Sequence, residues 1–204
     1  MTRLGRLAPA VPNALTIARI FAIPPLVVLV LESHDGSSLT AAGLFALAAL
    51  SDALDGHLAR SRDHVTTFGK IADPIADKLL VGAALVSLVA MDRLAAWVAV
   101  VIMARELAVS GLRAVAGREG LVISASRFGK AKMLIQVVTI LALIAAPDVS
   151  AAWLQALVYG AVAVTIASGV DYFVAFRRRR LGEPVAVRAA RPAGAERDSR
   201  RAAP

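Results

Sequence analysis

The protein has 204 residues, 58% of them hydrophobic and 19% charged, with a formal net charge of +8 and no cysteine; its mean hydropathy is +0.68. That apolar share exceeds what a soluble domain carries and points to one integrated bundle in a bilayer. The absence of cysteine excludes disulfides, thiolate metal sites and thiol catalysis, and nine arginines against Glu183, Glu196 and Asp198 put +6 of the net charge at or beyond Arg177, so the basic excess marks a tail that stops transfer and sets topology, or touches anionic lipid, and not a nucleic-acid surface.

A membrane span needs about 20 mainly apolar residues, and six segments qualify: Ala14 to Leu31, Leu39 to Leu58, Ile71 to Met91, Leu94 to Ala116, Arg127 to Ala146 and Ala151 to Phe176. The expected fold is an all-α bundle of six transmembrane helices over residues 1–176, followed by a basic, disordered tail over 177–204. The first segment is too long for a signal-peptide core, contains Pro24-Pro25 and precedes no small-residue cleavage pattern, so it is expected to stay in the mature protein. Asn13, Thr16 and Arg19 share one face of it. The second and third segments form an antiparallel hairpin turning near Asp63 and His64. Arg105 and Glu106 sit in the middle of the fourth, where unpaired charge is expensive, and Glu106 shares a face with Arg113, which suggests a common network. The fifth opens with Arg127, Lys130 and Lys132, and the sixth carries Asp171 before the Arg177 to Arg180 run.

Orientation follows from the cations. Arg3 and Arg6, then Arg60, Arg62 and Lys70, then Arg113, Arg118, Arg127, Lys130 and Lys132, and finally Arg177 to Arg180 fall on one side. The opposite connections hold Glu32, Asp35, Asp92 and Asp148 with Arg93 as their one cation. By the positive-inside rule both termini are cytoplasmic, and the cell inner membrane is the expected location.

The hairpin carries the chemistry. Asp52 and Asp55 are i,i+3 and Asp73 and Asp77 are i,i+4, so each pair projects from one helix face. Gly56, Ala59 and Gly69 leave room beside them. Counted from the turn, Asp52 matches Asp77 in depth and Asp55 matches Asp73, which sets the pairs opposite each other roughly 10 to 18 Å in from the turn. Four ionised carboxylates there need compensation. Two divalent cations would supply it; all-oxygen ligation suits Mg²⁺ or Mn²⁺, leaves Ca²⁺ open and suits zinc less. Two such ions can clamp phosphates during in-line displacement, with Arg60 on a phosphate oxygen. The alternative is a row of solvated acids paired with Arg60, Lys70 and Lys78. Pro74 frees the carbonyl of Lys70 if it stands inside a helix; a first-turn proline would do so without consequence.

The string D-x-x-D-G-x-x-A-R-x8-G-x3-D-x3-D, met at Asp52, Asp55, Gly56, Ala59, Arg60, Gly69, Asp73 and Asp77, resembles the signature of the CDP-alcohol phosphotransferases. The resemblance implies a homodimeric six-helix membrane enzyme that moves a phosphatidyl or similar group from a CDP-linked donor to an alcohol and releases CMP. It implies two metals on Asp52, Asp55, Asp73 and Asp77, contacts from Gly56, Ala59 and Arg60 to the CDP moiety, with Gly69 beside them, and Asp77 as base; the shared face of Asn13, Thr16 and Arg19 is expected to line the nucleotide site, capping of the first helix by Asn13 being the alternative. His57 and His64 fall at variable positions of that signature and the H-x-K pattern of phospholipase-D-like synthases is absent, so a histidine nucleophile is not expected. Pro12 to Arg19, Ala104 to Arg113 and Phe128 to Lys132 further resemble the glycerol-3-phosphate branch of the family. The expected substrates are then CDP-diacylglycerol and glycerol 3-phosphate, the acceptor phosphate meeting Arg113, Arg127, Lys130 and Lys132. Met133 departs from the threonine common at that place in the branch. Inositol phosphate, serine or phosphatidylglycerol is the alternative acceptor within the family, and a cation transporter the alternative class, since intramembrane carboxylates also mark ion pathways.

Overall fold

The computed structural model describes the backbone of residues 10–33, 37–60, 67–119 and 127–181, and the side chains of 16–33, 37–51, 74–119 and 131–181. Among these residues there are six α-helices and no strand: α1 (Ala10–Leu31), α2 (Leu39–Arg60), α3 (Thr67–Ala90), α4 (Ala96–Arg118), α5 (Arg127–Ala145) and α6 (Ala152–Arg180). Each lies where an apolar segment is expected. α1 and α3 begin about a turn earlier than the apolar runs do, and α6 continues through Arg177 to Arg180. These four arginines, assigned by sequence to the tail, are the last turn of α6, where cations meet the negative end of the helix dipole. The segment beyond Leu181, like the turn at Asp63 and His64, lies outside the described residues.

Helix ends fix the order of the bundle. Ser38 Oγ accepts from the Ala41 N–H (3.1 Å) and starts α2 as an N-cap, while the Ser38 N–H donates to the Ile144 carbonyl at the end of α5 (2.9 Å). α3 ends at Ala90; beyond it the φ of Asp92, 54°, is left-handed, and the Arg93 N–H returns to the Leu88 carbonyl (2.9 Å). The Arg93 side chain, 8% exposed, donates from Nε to the Leu143 carbonyl (2.9 Å) and from Nη2 to the Ala146 carbonyl. The lone cation of that end thus serves as a C-cap for α5. At the other end Arg180 meets Glu119 (3.4 Å), joining the last turns of α4 and α6. The chain therefore runs up and down, with the start of α1 and the end of α6 at the same end.

All six helices contribute to one apolar core, with Leu26, Phe45, Leu80, Leu85, Leu88, Ile140, Leu143, Ile144 and Leu154 almost fully enclosed. α1 packs along both α2 and α3, and α5 against α2 and α6; among the described residues α2 and α3 touch each other over a shorter stretch. α1 and α3 accommodate Pro24, Pro25 and Pro74 within the helix. Pro74 stands beyond the first turn of α3, so the first-turn alternative does not hold. Among the described residues α6 alone is long and apolar enough to cross a membrane; Thr16–Leu31, Leu39–Ser51 and Ala131–Ala145 are shorter apolar stretches.

Candidate active site

The signature occupies the last turns of α2 and the first turns of α3, on the end of the bundle that carries Glu119 and Arg180. Arg19 of α1, 2% exposed, ties the approach to it: its Nε donates to the Ala48 carbonyl (3.3 Å) and its Nη2 to Ser51 Oγ (3.4 Å), one residue before Asp52. Thr16, one turn earlier on the same face of α1, is completely enclosed. The face expected to line a nucleotide site is therefore buried at Thr16 and Arg19. The side chains of Asn13, Asp52, Asp55, Gly56, Ala59, Arg60, Gly69 and Asp73 lie outside the described residues, and among the described residues no three His, Cys, Asp or Glu side chains group together.

Asp77 is described, and it marks the site. It lines a cavity of about 30 Å³ with Lys78, Glu106, Lys132, Met133 and Gln136, closed by apolar side chains of α3, α4 and α5. Lys132 is 7% exposed and its ammonium is bonded to the Glu106 carboxylate, with Asp77 within electrostatic reach. Glu106 also accepts from Arg105 Nη1 (3.2 Å), and Arg105 Nη2 donates to Ser168 Oγ on α6 (2.6 Å). Charges therefore alternate from α6 inward: Arg105, Glu106, Lys132, Asp77. Gly169 packs closely against this chain of charges: a Cβ there would stand 3.2 Å from Arg105 Cγ.

Of the four cations expected at the acceptor phosphate, Lys132 and Arg113 have described side chains. Lys132 reaches the Asp77 cavity. Arg113 does not share a network with Glu106; its guanidinium stands over the Tyr172 ring of α6 at 5.8 Å, a cation–π contact. Arg127 and Lys130 open α5, their side chains outside the described residues. The sequence reading missed the pairing of Glu106 with Lys132, the role of Ser168, and Gln136. Gln136 had a signal: a polar residue four after Lys132 in an otherwise apolar run, hence on the same helical face.

The pocket brings the Asp77 and Glu106 carboxylates together with the Lys78 and Lys132 ammonium groups, within a bundle of six helices. The chain belongs to the CDP-alcohol phosphatidyltransferase family, whose profile matches residues 9–167. It is 39% identical over 178 residues to the CDP-diacylglycerol–glycerol-3-phosphate 3-phosphatidyltransferase of Bacillus subtilis, covering 79% of this chain and 92% of the relative. It is 34% identical over 178 residues to the protein of the same description from Rickettsia felis, covering 85% of this chain and 98% of the relative.

Proposed function

We propose that the protein transfers the phosphatidyl group of CDP-diacylglycerol to glycerol 3-phosphate, giving phosphatidylglycerophosphate and CMP. The observation that carries this reading is the Asp77 cavity: the last carboxylate of the family signature faces a buried Lys132 held by Glu106, in a chain whose relatives bear that activity in their names.

The donor set of the signature is four carboxylates with no imidazole or thiolate, which fits Mg²⁺ or Mn²⁺ on Asp52, Asp55, Asp73 and Asp77. Bound there, two such ions would neutralise the carboxylates and polarise the phosphoryl oxygens and the attacking hydroxyl. The chain's own groups do the rest. Asp77 takes the proton of the primary hydroxyl of glycerol 3-phosphate as its oxygen attacks the phosphatidyl phosphorus. The new P–O bond forms, the P–O bond to CMP breaks, and CMP leaves without a covalent enzyme intermediate. Arg60, with Gly56, Ala59, Gly69, Asn13 and Thr16, serves the CDP moiety; Lys132, with Arg113, Arg127 and Lys130, serves the acceptor phosphate.

The enzyme works as a homodimer in the inner membrane, with the site toward the cytoplasm. Large apolar side chains exposed on the outer surface of the bundle support burial in lipid, among them Phe21 (75%), Leu39 (79%), Leu47 and Leu134. The stacked pair Trp97 and Tyr159, centroids 6.4 Å apart, suits the opposite interface, where aromatic belts form. The diacylglycerol tails remain in the bilayer while both polar groups meet at the cytoplasmic mouth.

The test is CMP release by the purified full-length protein from CDP-diacylglycerol, with glycerol 3-phosphate, inositol phosphate, serine and phosphatidylglycerol compared in Mg²⁺ or Mn²⁺. Release with glycerol 3-phosphate, lost by a factor of roughly 10² to 10⁴ in Asp77→Asn, is expected for a proton-accepting carboxylate. Release only with another alcohol would overturn the acceptor assignment.

A further inference from the structure

The inner end of the Asp77 cavity is polar at one point that the proposed reaction leaves unused. Gln136 is 4% exposed and is the one uncharged polar side chain among the cavity's lining residues. Its Oε1 is buried and receives no hydrogen bond from the described residues. It lies one turn beyond Lys132 along α5, away from the mouth, and the space behind it is walled by Leu85, Ile102, Ile140 and Leu143. Thr139, the next polar side chain there, already donates to the Ile135 carbonyl (2.7 Å). No donor therefore reaches the amide oxygen from below. A buried acceptor left without a donor is costly, so a ligand group that arrives there is selected for being a donor. With about 30 Å³ of open space the cavity has room for a water-sized group such as a hydroxyl.

On the proposed acceptor, we infer that Gln136 determines specificity by accepting a hydrogen bond from the C2 hydroxyl of glycerol 3-phosphate, the hydroxyl that does not react. Lys132 holds the phosphate at one end of the three-carbon chain and Asp77 the reacting hydroxyl at the other. The secondary hydroxyl between them points inward, where Gln136 stands about 6 Å along the helix from Lys132. The amide orients the acceptor so that its primary oxygen faces Asp77, and it penalises a three-carbon phosphate that brings no donor to that place.

The experiment compares kcat/KM for glycerol 3-phosphate and 3-hydroxypropyl phosphate, which lacks only the C2 hydroxyl, using the full chain and CDP-diacylglycerol. The native protein should prefer glycerol 3-phosphate by roughly 10- to 100-fold, the range expected when a buried acceptor loses its one donor. Gln136→Met should narrow the preference to within about threefold by losing activity toward glycerol 3-phosphate, whereas loss of the phosphate contact in Lys132→Met should lower both acceptors alike. A native preference near unity, or a native-sized preference retained in Gln136→Met, overturns the inference while leaving the acceptor assignment standing. Failure of the native protein to use glycerol 3-phosphate at all overturns both. If Gln136→Met is inactive toward both compounds, Gln136→Asn, which keeps the amide but withdraws it by one methylene, takes its place. An intermediate preference supports the inference, and an undiminished one overturns it.

Discussion

Glu106 serves two cations, so its removal should cost more than the removal of either. Glu106→Gln keeps the size of the side chain and one hydrogen bond, but leaves Lys132 and Arg105, whose side chains are 8% and 14% exposed, without their shared counter-ion. Breaking a buried pair from one side costs about 3–5 kcal/mol in soluble proteins, and polar contacts in membrane bundles are weaker, roughly 0.6–2 kcal/mol. The two ranges bracket a cost of about 3 kcal/mol for Glu106→Gln, since two contacts are lost. Lys132→Met leaves Glu106 bonded to Arg105 and should cost about half as much. The double variant strands only Arg105, which keeps Ser168, and should be no less stable than Glu106→Gln alone. A double-mutant cycle by reversible unfolding in mixed micelles measures this directly. Coupling of at least about 1.5 kcal/mol is expected, and additivity within about 0.5 kcal/mol, or a larger cost for Lys132→Met than for Glu106→Gln, would refute the reasoning.

The other end of the bundle should behave as structure alone. Arg93→Met withdraws two charged hydrogen bonds from the last carbonyls of α5 and should cost roughly 2–4 kcal/mol with acceptor KM unchanged; Arg93→Lys should not restore stability, because a single ammonium cannot span both carbonyls as the guanidinium fork does. Gly169→Val overfills the 3.2 Å gap to Arg105 Cγ and should destabilise by about 1–3 kcal/mol, with Gly160→Val, which meets nothing within 4 Å, as the control in the same thermal assay. In the loop between α5 and α6, the Ser150 N–H (2.8 Å) and Oγ (2.7 Å) both donate to Asp148 Oδ1 and hold its carboxyl below the usual aspartate range. Because the folded state favours the ionised form, this contribution is present above the unfolded value of about 3.9 and fades as pH falls through the lowered folded value. Asp148→Asn should therefore lose a little stability at neutral pH and flatten the acid limb of the unfolding curve.

Six apolar runs were enough to place six helices because the length of each run and the polarity of its flanks act together. The runs stop short where helices continue into charged turns, as at Thr67 to Lys70 and Arg177 to Arg180, since helical backbone does not require apolar side chains. The carboxylate signature was legible for a different reason: its spacing is set within two sequential helices, and the pitch turns spacing into a shared face. Partners across the bundle were not legible. Pitch places Glu106 and Arg113 on one face of α4, yet Glu106 meets Lys132 of α5 and Arg113 meets Tyr172 of α6, because a face says nothing about which neighbour lies against it at each height. Arg93 read as an exception to the charge asymmetry, and only the close approach of the α5 carbonyls accounts for it.

The distribution of satisfied and unsatisfied polar groups separates the two ends by purpose. At the end that holds Ser38, Arg93 and Ser150, the polar side chains complete helix termini, and Arg93 supplies two donors where two carbonyls need them. Deeper, and toward the signature, Arg105 Nε, Gln136 Oε1, Thr165 Oγ1 and Tyr172 Oη are buried without a hydrogen-bond partner among the described residues. Each costs free energy that an apolar side chain of similar shape would avoid, and ion pairs of the Glu106 and Lys132 kind are often outperformed in stability by apolar replacements. A bundle shaped only for stability would bear such groups at neither end. They stand on α4, α5 and α6, and of them Gln136 lines the Asp77 cavity while Arg105 bonds to its Glu106; on the proposed function, groups that will bind the substrate cannot all be spent on the protein itself.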